Sequence, residues 1–113
     1  MTRLMIVIWN LIYFPKKGIS EKESYFDCHI LNARNKISEI ERELNIKLNR
    51  EREKSPAGRY FTRYTLKDSD QVLKVAELFN WRLKINQAAF NRCHDVPFIT
   101  LADVNKAIRT LRN

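Results

Sequence analysis

The sequence predicts a mainly α-helical domain that carries one small β-hairpin. Apolar residues recur at helical spacing through most of the chain. Turn-forming residues separate those stretches, at Pro15 to Gly18, at Ser55-Pro56-Ala57-Gly58 and at Asp95-Val96-Pro97. One region, Ile46 to Leu66, alternates with the period of a strand on both sides of its turn. A chain of 113 residues can bury a single core.

The first helix is predicted from Thr2 to Phe14. Leu4, Ile8, Leu11 and Ile12 share a face that Met5 and Trp9 widen. Met5-Ile6-Val7-Ile8 also suits a strand, but the length of the stretch favours a helix ending at Pro15. Ser20-Glu21-Lys22-Glu23 reads as a capping box, with Ile19 as the apolar residue before the cap. It opens a short helix, about Glu21 to Phe26, that turns Tyr25 and Phe26 inward. Asp27 and Cys28 make a tight turn. The next helix runs from His29 or Ile30 to Leu44, with Ile30, Ala33, Ile37, Ile40 and Leu44 as its buried stripe.

Ile46 to Lys54 and Arg59 to Leu66 form the predicted hairpin. Its apolar residues gather at the base, while Arg50, Arg52, Lys54 and Arg59 lie toward the tip. Asp68-Ser69-Asp70 caps a long helix whose apolar residues cover most of its circumference, with a break allowed near Asn80. Such a helix needs more than one packing partner. Thr100 with Asp103 reads as a second capping box, opening a last amphipathic helix through Leu101, Val104, Ile108 and Leu111.

Charge separates these regions. The net charge is +8 overall; residues 29–67 carry 10 basic and 5 acidic side chains, a net of +5. Most of the excess therefore sits in the segment that holds one helix and the hairpin, which points to an anionic partner, nucleic acid first.

The run Gly18-Ile19-Ser20-x-x-Glu23, then Phe26 and Cys28, then Ile37-Ser38-Glu39-Ile40-Glu41-Arg42-Glu43-Leu44, resembles small winged helix-turn-helix DNA-binding domains of the phage and prophage type. Gly58-Arg59-Tyr60-Phe61-Thr62-Arg63-Tyr64-Thr65-Leu66 is similar to their wing strand. The resemblance covers about residues 4–66. The turn before the recognition helix departs from it, since Asp27 stands where Gly is frequent. The resemblance implies a winged helix-turn-helix domain over 1–67, three helices plus a wing. Two C-terminal helices over 68–113 then pack on it or form a dimer interface.

In that arrangement the exposed side of the second helix enters the major groove of double-stranded DNA. Asn32 and Asn35 have the amide geometry to pair with adenine. Arg42 can reach guanine or phosphate, and Lys36 a phosphate. Glu39 can accept from cytosine or pair with Lys36 or Arg42. Arg50, Arg52, Lys54, Arg59 and Arg63 would meet the backbone or the adjacent minor groove, and the expected log–log salt slope is about −4 to −6 per subunit.

The expected function is sequence-specific binding of double-stranded DNA, as a transcriptional regulator from a phage or mobile element, with a homodimer formed through residues 70–113. A protein–protein module, such as a phage inhibitor of a host nucleic-acid enzyme, is the alternative. Glu39, Glu41 and Glu43 favour it, because carboxylates repel a phosphate backbone. No enzyme signature is read: there is no Gly-rich phosphate loop and no local nucleophile motif. No cofactor is expected. Cys28-His29 and Cys93-His94 lack the two-to-four-residue spacing within a pair usual for structural zinc. Leu4 to Phe14 falls short of the roughly 20 residues that span a bilayer, and Lys16-Lys17 follows it rather than a cleavage site. A reducing cytoplasm is the expected compartment.

Overall fold

Thr2 starts the first helix, its Oγ1 accepting from the Met5 N–H at 3.2 Å. The computed structural model describes residues 1–21 and 33–112. Within them the order is α1 (Arg3–Tyr13), β1 (Ile19–Ser20), α2 (Ala33–Leu44), β2 (Asn49–Lys54), β3 (Tyr60–Thr65), α3 (Ser69–Phe90) and α4 (Leu101–Arg112).

Helix α1 lies at the centre. Leu4, Met5, Val7, Ile8, Leu11 and Ile12 are all buried, on more than one side of the helix, because α2, α3, α4 and β1 each pack against it. Each fully buried aliphatic side chain of this kind contributes about 1.5–3 kcal/mol relative to exposure. Asn10 is accommodated in this apolar helix by donating its side-chain amide to the Ile6 carbonyl at 2.9 Å. The core continues through Ile37 and Ile40 of α2, Leu48, Tyr64 and Leu66 at the hairpin base, Phe79 and Leu83 of α3, and Val104 of α4. A single core thus joins residues on both sides of position 67.

Local chemistry closes each helix. Asn45 takes a left-handed φ of 53°, and the Ile46 N–H reaches the Glu41 carbonyl at 3.1 Å, a Schellman-type end to α2. Asp68 caps α3 by accepting from the Gln71 N–H at 2.9 Å. The buried Gln71 amide then bridges the Lys67 N–H (2.9 Å) and the Lys47 carbonyl (2.7 Å), fastening the hairpin base to α3. Helix α3 runs through Asn80 without a break. The Asn80 amide instead exchanges two hydrogen bonds with the Ile99 backbone, at 2.8 and 3.0 Å.

Thr100 and Asp103 cap α4 reciprocally, at 3.2 and 3.4 Å. Asp103 also accepts from the Tyr13 hydroxyl at 3.0 Å, tying α4 to α1. Burial, and then the bond to Asp103, push the Tyr13 hydroxyl up to about 12.

The expected fold class needs correction. A winged helix-turn-helix of three helices plus a two-stranded wing, followed by two helices, is not what forms. The described residues contain four helices and a three-stranded antiparallel sheet in the order β1-β3-β2. Ile19 pairs with Tyr64 and Ser20 with Arg63, so the segment read as a helix lead-in is also a strand. Gly18 allows this. It has a φ of +55°, and a Cβ there would lie 1.9 Å from the Tyr64 carbonyl oxygen, so a side chain would force the two backbones apart. The short helix placed at Glu21 to Phe26, the Glu23 half of its capping box, Asn32 and Cys28-His29 lie outside the described residues, apart from Glu21 itself. Among the described residues no helix is long and apolar enough to cross a membrane.

Candidate nucleic-acid interface

Strand β2 reads Asn49-Arg50-Glu51-Arg52-Glu53-Lys54. Successive side chains on a strand point to opposite faces, so this order sorts the charges. Arg50, Arg52 and Lys54 share one face, and Glu51 and Glu53 share the other. The antiparallel register sets Arg50 beside Tyr64, Arg52 beside Thr62 and Lys54 beside Tyr60. One face of the hairpin therefore carries three cations interleaved with two tyrosines and a threonine.

The cations on that face are held differently along its length. Near the base, Arg50 donates both terminal nitrogens to Glu41, at 2.6 and 2.9 Å, and lies 5.2 Å from the Tyr64 ring centroid. Glu41 also accepts the Leu48 N–H at 2.8 Å. The bond from Arg50 holds the Glu41 carboxyl below its usual range, and the same bond raises Arg50. Toward the tip, Arg52 touches Thr62 Oγ1 at 3.4 Å and lies 5.8 Å from the Tyr60 centroid. Lys54 lies 5.7 Å from the same centroid. Tyr60 is 62% exposed, whereas Tyr64 is 3% exposed.

Arg59 is exposed in the turn, where its backbone N–H bonds Ser55 Oγ at 3.2 Å. Arg63 belongs to the opposite face. It pairs with Glu53 across the strands and donates to the Lys17 carbonyl at 2.7 Å. Of the five hairpin cations singled out in the sequence, Arg52, Lys54 and Arg59 lie together near the tip, while Arg50 and Arg63 each face a carboxylate.

The helix residues are divided as well. Lys36 pairs with Glu39 at 3.5 Å. Glu39 also lies 3.9 Å from Arg82 of α3, which binds Glu43 at 2.8 Å. That side of α2 is turned toward α3. Asn35 and Arg42 remain solvent-exposed; seven residues apart, they share one side of the helix. Asn32 lies outside the described residues.

Six residues of this surface escaped the sequence reading as site candidates. Glu21, Arg34 of α2, Tyr60, Phe61, Thr62 and Tyr64 line an open recess with Arg50 and Arg52, so one carboxylate stands among its three guanidinium groups. The Arg-x-Arg-x-Lys and Tyr-x-Thr-x-Tyr alternations were the available signal for the strand residues. Nothing local in the sequence marks Arg34, which reaches the recess from another element.

At the other candidate location, His94 Nε2 lies 2.7 Å from Asn91 Oδ1. Among the described residues no group of three or more His, Cys, Asp or Glu is placed to hold a metal ion.

The structure thus defines a small helical domain presenting a cationic, aromatic hairpin face. A family profile described as "Uncharacterised protein PM1773" matches residues 7–113, and the chain belongs to that family. No curated protein and no solved structure matches it.

Proposed function

We propose that the protein binds double-stranded DNA through the cationic face of its hairpin. The observation that carries this reading is the sorting of Arg50, Arg52 and Lys54 onto one face with Tyr60, Thr62 and Tyr64. Phosphate contacts supply most of the affinity of such a surface. Arg34, Arg52, Lys54 and Arg59 are the exposed cations available to it. Four phosphate contacts predict a log–log salt slope of about −3 to −4, shallower than the sequence alone implied, because Arg50 already serves Glu41. Base discrimination falls to Asn35 and Arg42, the exposed amide and guanidinium of α2. Transcriptional regulation in a phage or mobile element is the role we attach to sequence-specific binding.

The test is a titration of labelled duplex followed by fluorescence anisotropy. The double variant Arg52→Glu/Lys54→Glu is expected to lose about 100-fold in affinity at low salt, on the scale of two phosphate contacts turned repulsive. Absence of duplex binding by the wild-type protein at low salt overturns the reading. Selection from a random duplex pool then reports specificity, and a recovered motif supports the regulatory role.

A second reading, as a protein-interaction module, has its own observation. Trp81 (54% exposed) and Leu73 (42% exposed) stand on the outer side of α3. Trp81 and Leu78 border a largely apolar hollow with Leu44, rimmed by Glu43, Lys74 and Glu77. A rim of both signs lets two copies meet with opposite charges in contact, consistent with a homodimer through this helix; a host protein is the other occupant. Sedimentation analysis of wild type against Trp81→Glu separates these from a monomer.

A further inference from the structure

Resting on the DNA-binding reading above, we propose that Tyr60 is a stacking platform for an unpaired base. The protein then prefers DNA in which a duplex is interrupted by, or adjoins, unpaired nucleotides.

Three features of the hairpin tip lead to this. Tyr60 is 62% exposed, and no core lies beneath it as it does beneath Tyr64. Arg52 and Lys54 stand over its ring at 5.8 and 5.7 Å from the centroid, and at 62% exposure much of the side chain still faces solvent beside that positive charge. Neither cation has a carboxylate partner among the described contacts. Arg52 spends one donor on Thr62 and keeps the rest for another acceptor.

A ring set among cations matches a nucleotide, whose base offers a π-face and whose phosphates offer charge. A fully paired duplex hides its base faces in the stack and shows only base edges in its grooves. Phosphates alone would occupy Arg52, Lys54 and Arg59 and leave the solvent-facing part of the ring without a ligand contact. An unpaired base uses both halves of the tip, and stacking on an aromatic side chain is indifferent to base identity. Base choice therefore does not come from Tyr60. It adds a preference for DNA structure to whatever sequence preference α2 confers.

The experiment compares a fully paired duplex with the same duplex carrying a short central bubble, using the full chain at one salt concentration. A 2-aminopurine in the bubble reports stacking through quenching of its fluorescence. The bubble is expected to bind at least about five-fold tighter, the lower end of the effect of a single base–aromatic stack. Binding is expected to quench the 2-aminopurine. Tyr60→Ala should bring the two affinities together and abolish the quench, while Tyr60→Phe keeps both. Equal affinities in the wild type, or a preference that survives Tyr60→Ala, overturns the inference while leaving DNA binding intact. If neither DNA is bound, the underlying reading fails instead.

Discussion

Tyr64 and Tyr60 share strand β3 and one face of the sheet, each beside a cation from β2. At Tyr64 the cation is Arg50, clamped by Glu41 and set over a ring that is 3% exposed. At Tyr60 the cations are Arg52 and Lys54, and the ring is mostly in water. The chemistry of the two pairs is alike, and their surroundings differ. A carboxylate and a core turn the first pair into an anchor for the hairpin. Among the described residues the second set has no carboxylate hydrogen-bonded to its cations and no core beneath its ring, so it stays in solvent. The proposed DNA-binding surface is therefore part of one face, not the hairpin as a whole.

Paired substitutions break this contrast most directly. Tyr64→Ala should cost about 3–5 kcal/mol, as for other buried aromatic truncations. Tyr60→Ala should stay within about 0.5 kcal/mol of wild type, as is usual for exposed positions. Urea denaturation of the two variants checks this, and comparable losses would show that the tip is structural too.

The clamp itself gives the next largest effect. Glu41→Ala leaves the Leu48 N–H without its acceptor and Arg50 without its partner, a loss of about 2–3 kcal/mol. The sign of its pH dependence follows from the lowered Glu41 carboxyl. Its contribution is full above the ordinary glutamate value of about 4.3, and disappears as pH falls through the lower folded value. Wild type should therefore lose stability on acidification more steeply than Glu41→Ala. Parallel acid slopes in urea melts of the two proteins would remove Glu41 from the account.

The smallest effect separates the two faces. Arg52→Gln should reduce the magnitude of the salt slope by about 0.9, the share of one phosphate contact. Arg63→Gln should leave that slope unchanged, because Glu53 already opposes Arg63 on the far face. Equal changes in anisotropy titrations across a salt series would mean that both faces meet DNA.

Much of the helical framework was legible because helical periodicity is local. The stripe Ala33, Ile37, Ile40 and Leu44, the Asp68 cap and the Thr100–Asp103 pair lie within a few turns of chain. Strand β1 was not legible. Its two residues are too few to show a period, and its pairing depends on Gly18 passing close to Tyr64, far along the chain. The site divided in the same way. The alternation in β2 was present in the sequence, but its meaning depended on which strand it faced and in what register. Arg34, and the diversion of Glu39 toward Arg82, required α2 to be placed against its neighbours.

By itself the sequence determined where the four described helices form, where the hairpin turns and which side chains of β2 share a face. Each follows from backbone geometry repeated over a few residues. Tertiary structure alone decided that α1 occupies the centre of the core, that a third strand joins the hairpin, and that Arg50 is held by Glu41 while Arg52 and Lys54 keep to the solvent. The reason is distance: a charge is neutralised only by a partner within a few ångströms, and packing between remote segments brings that partner near or leaves it away.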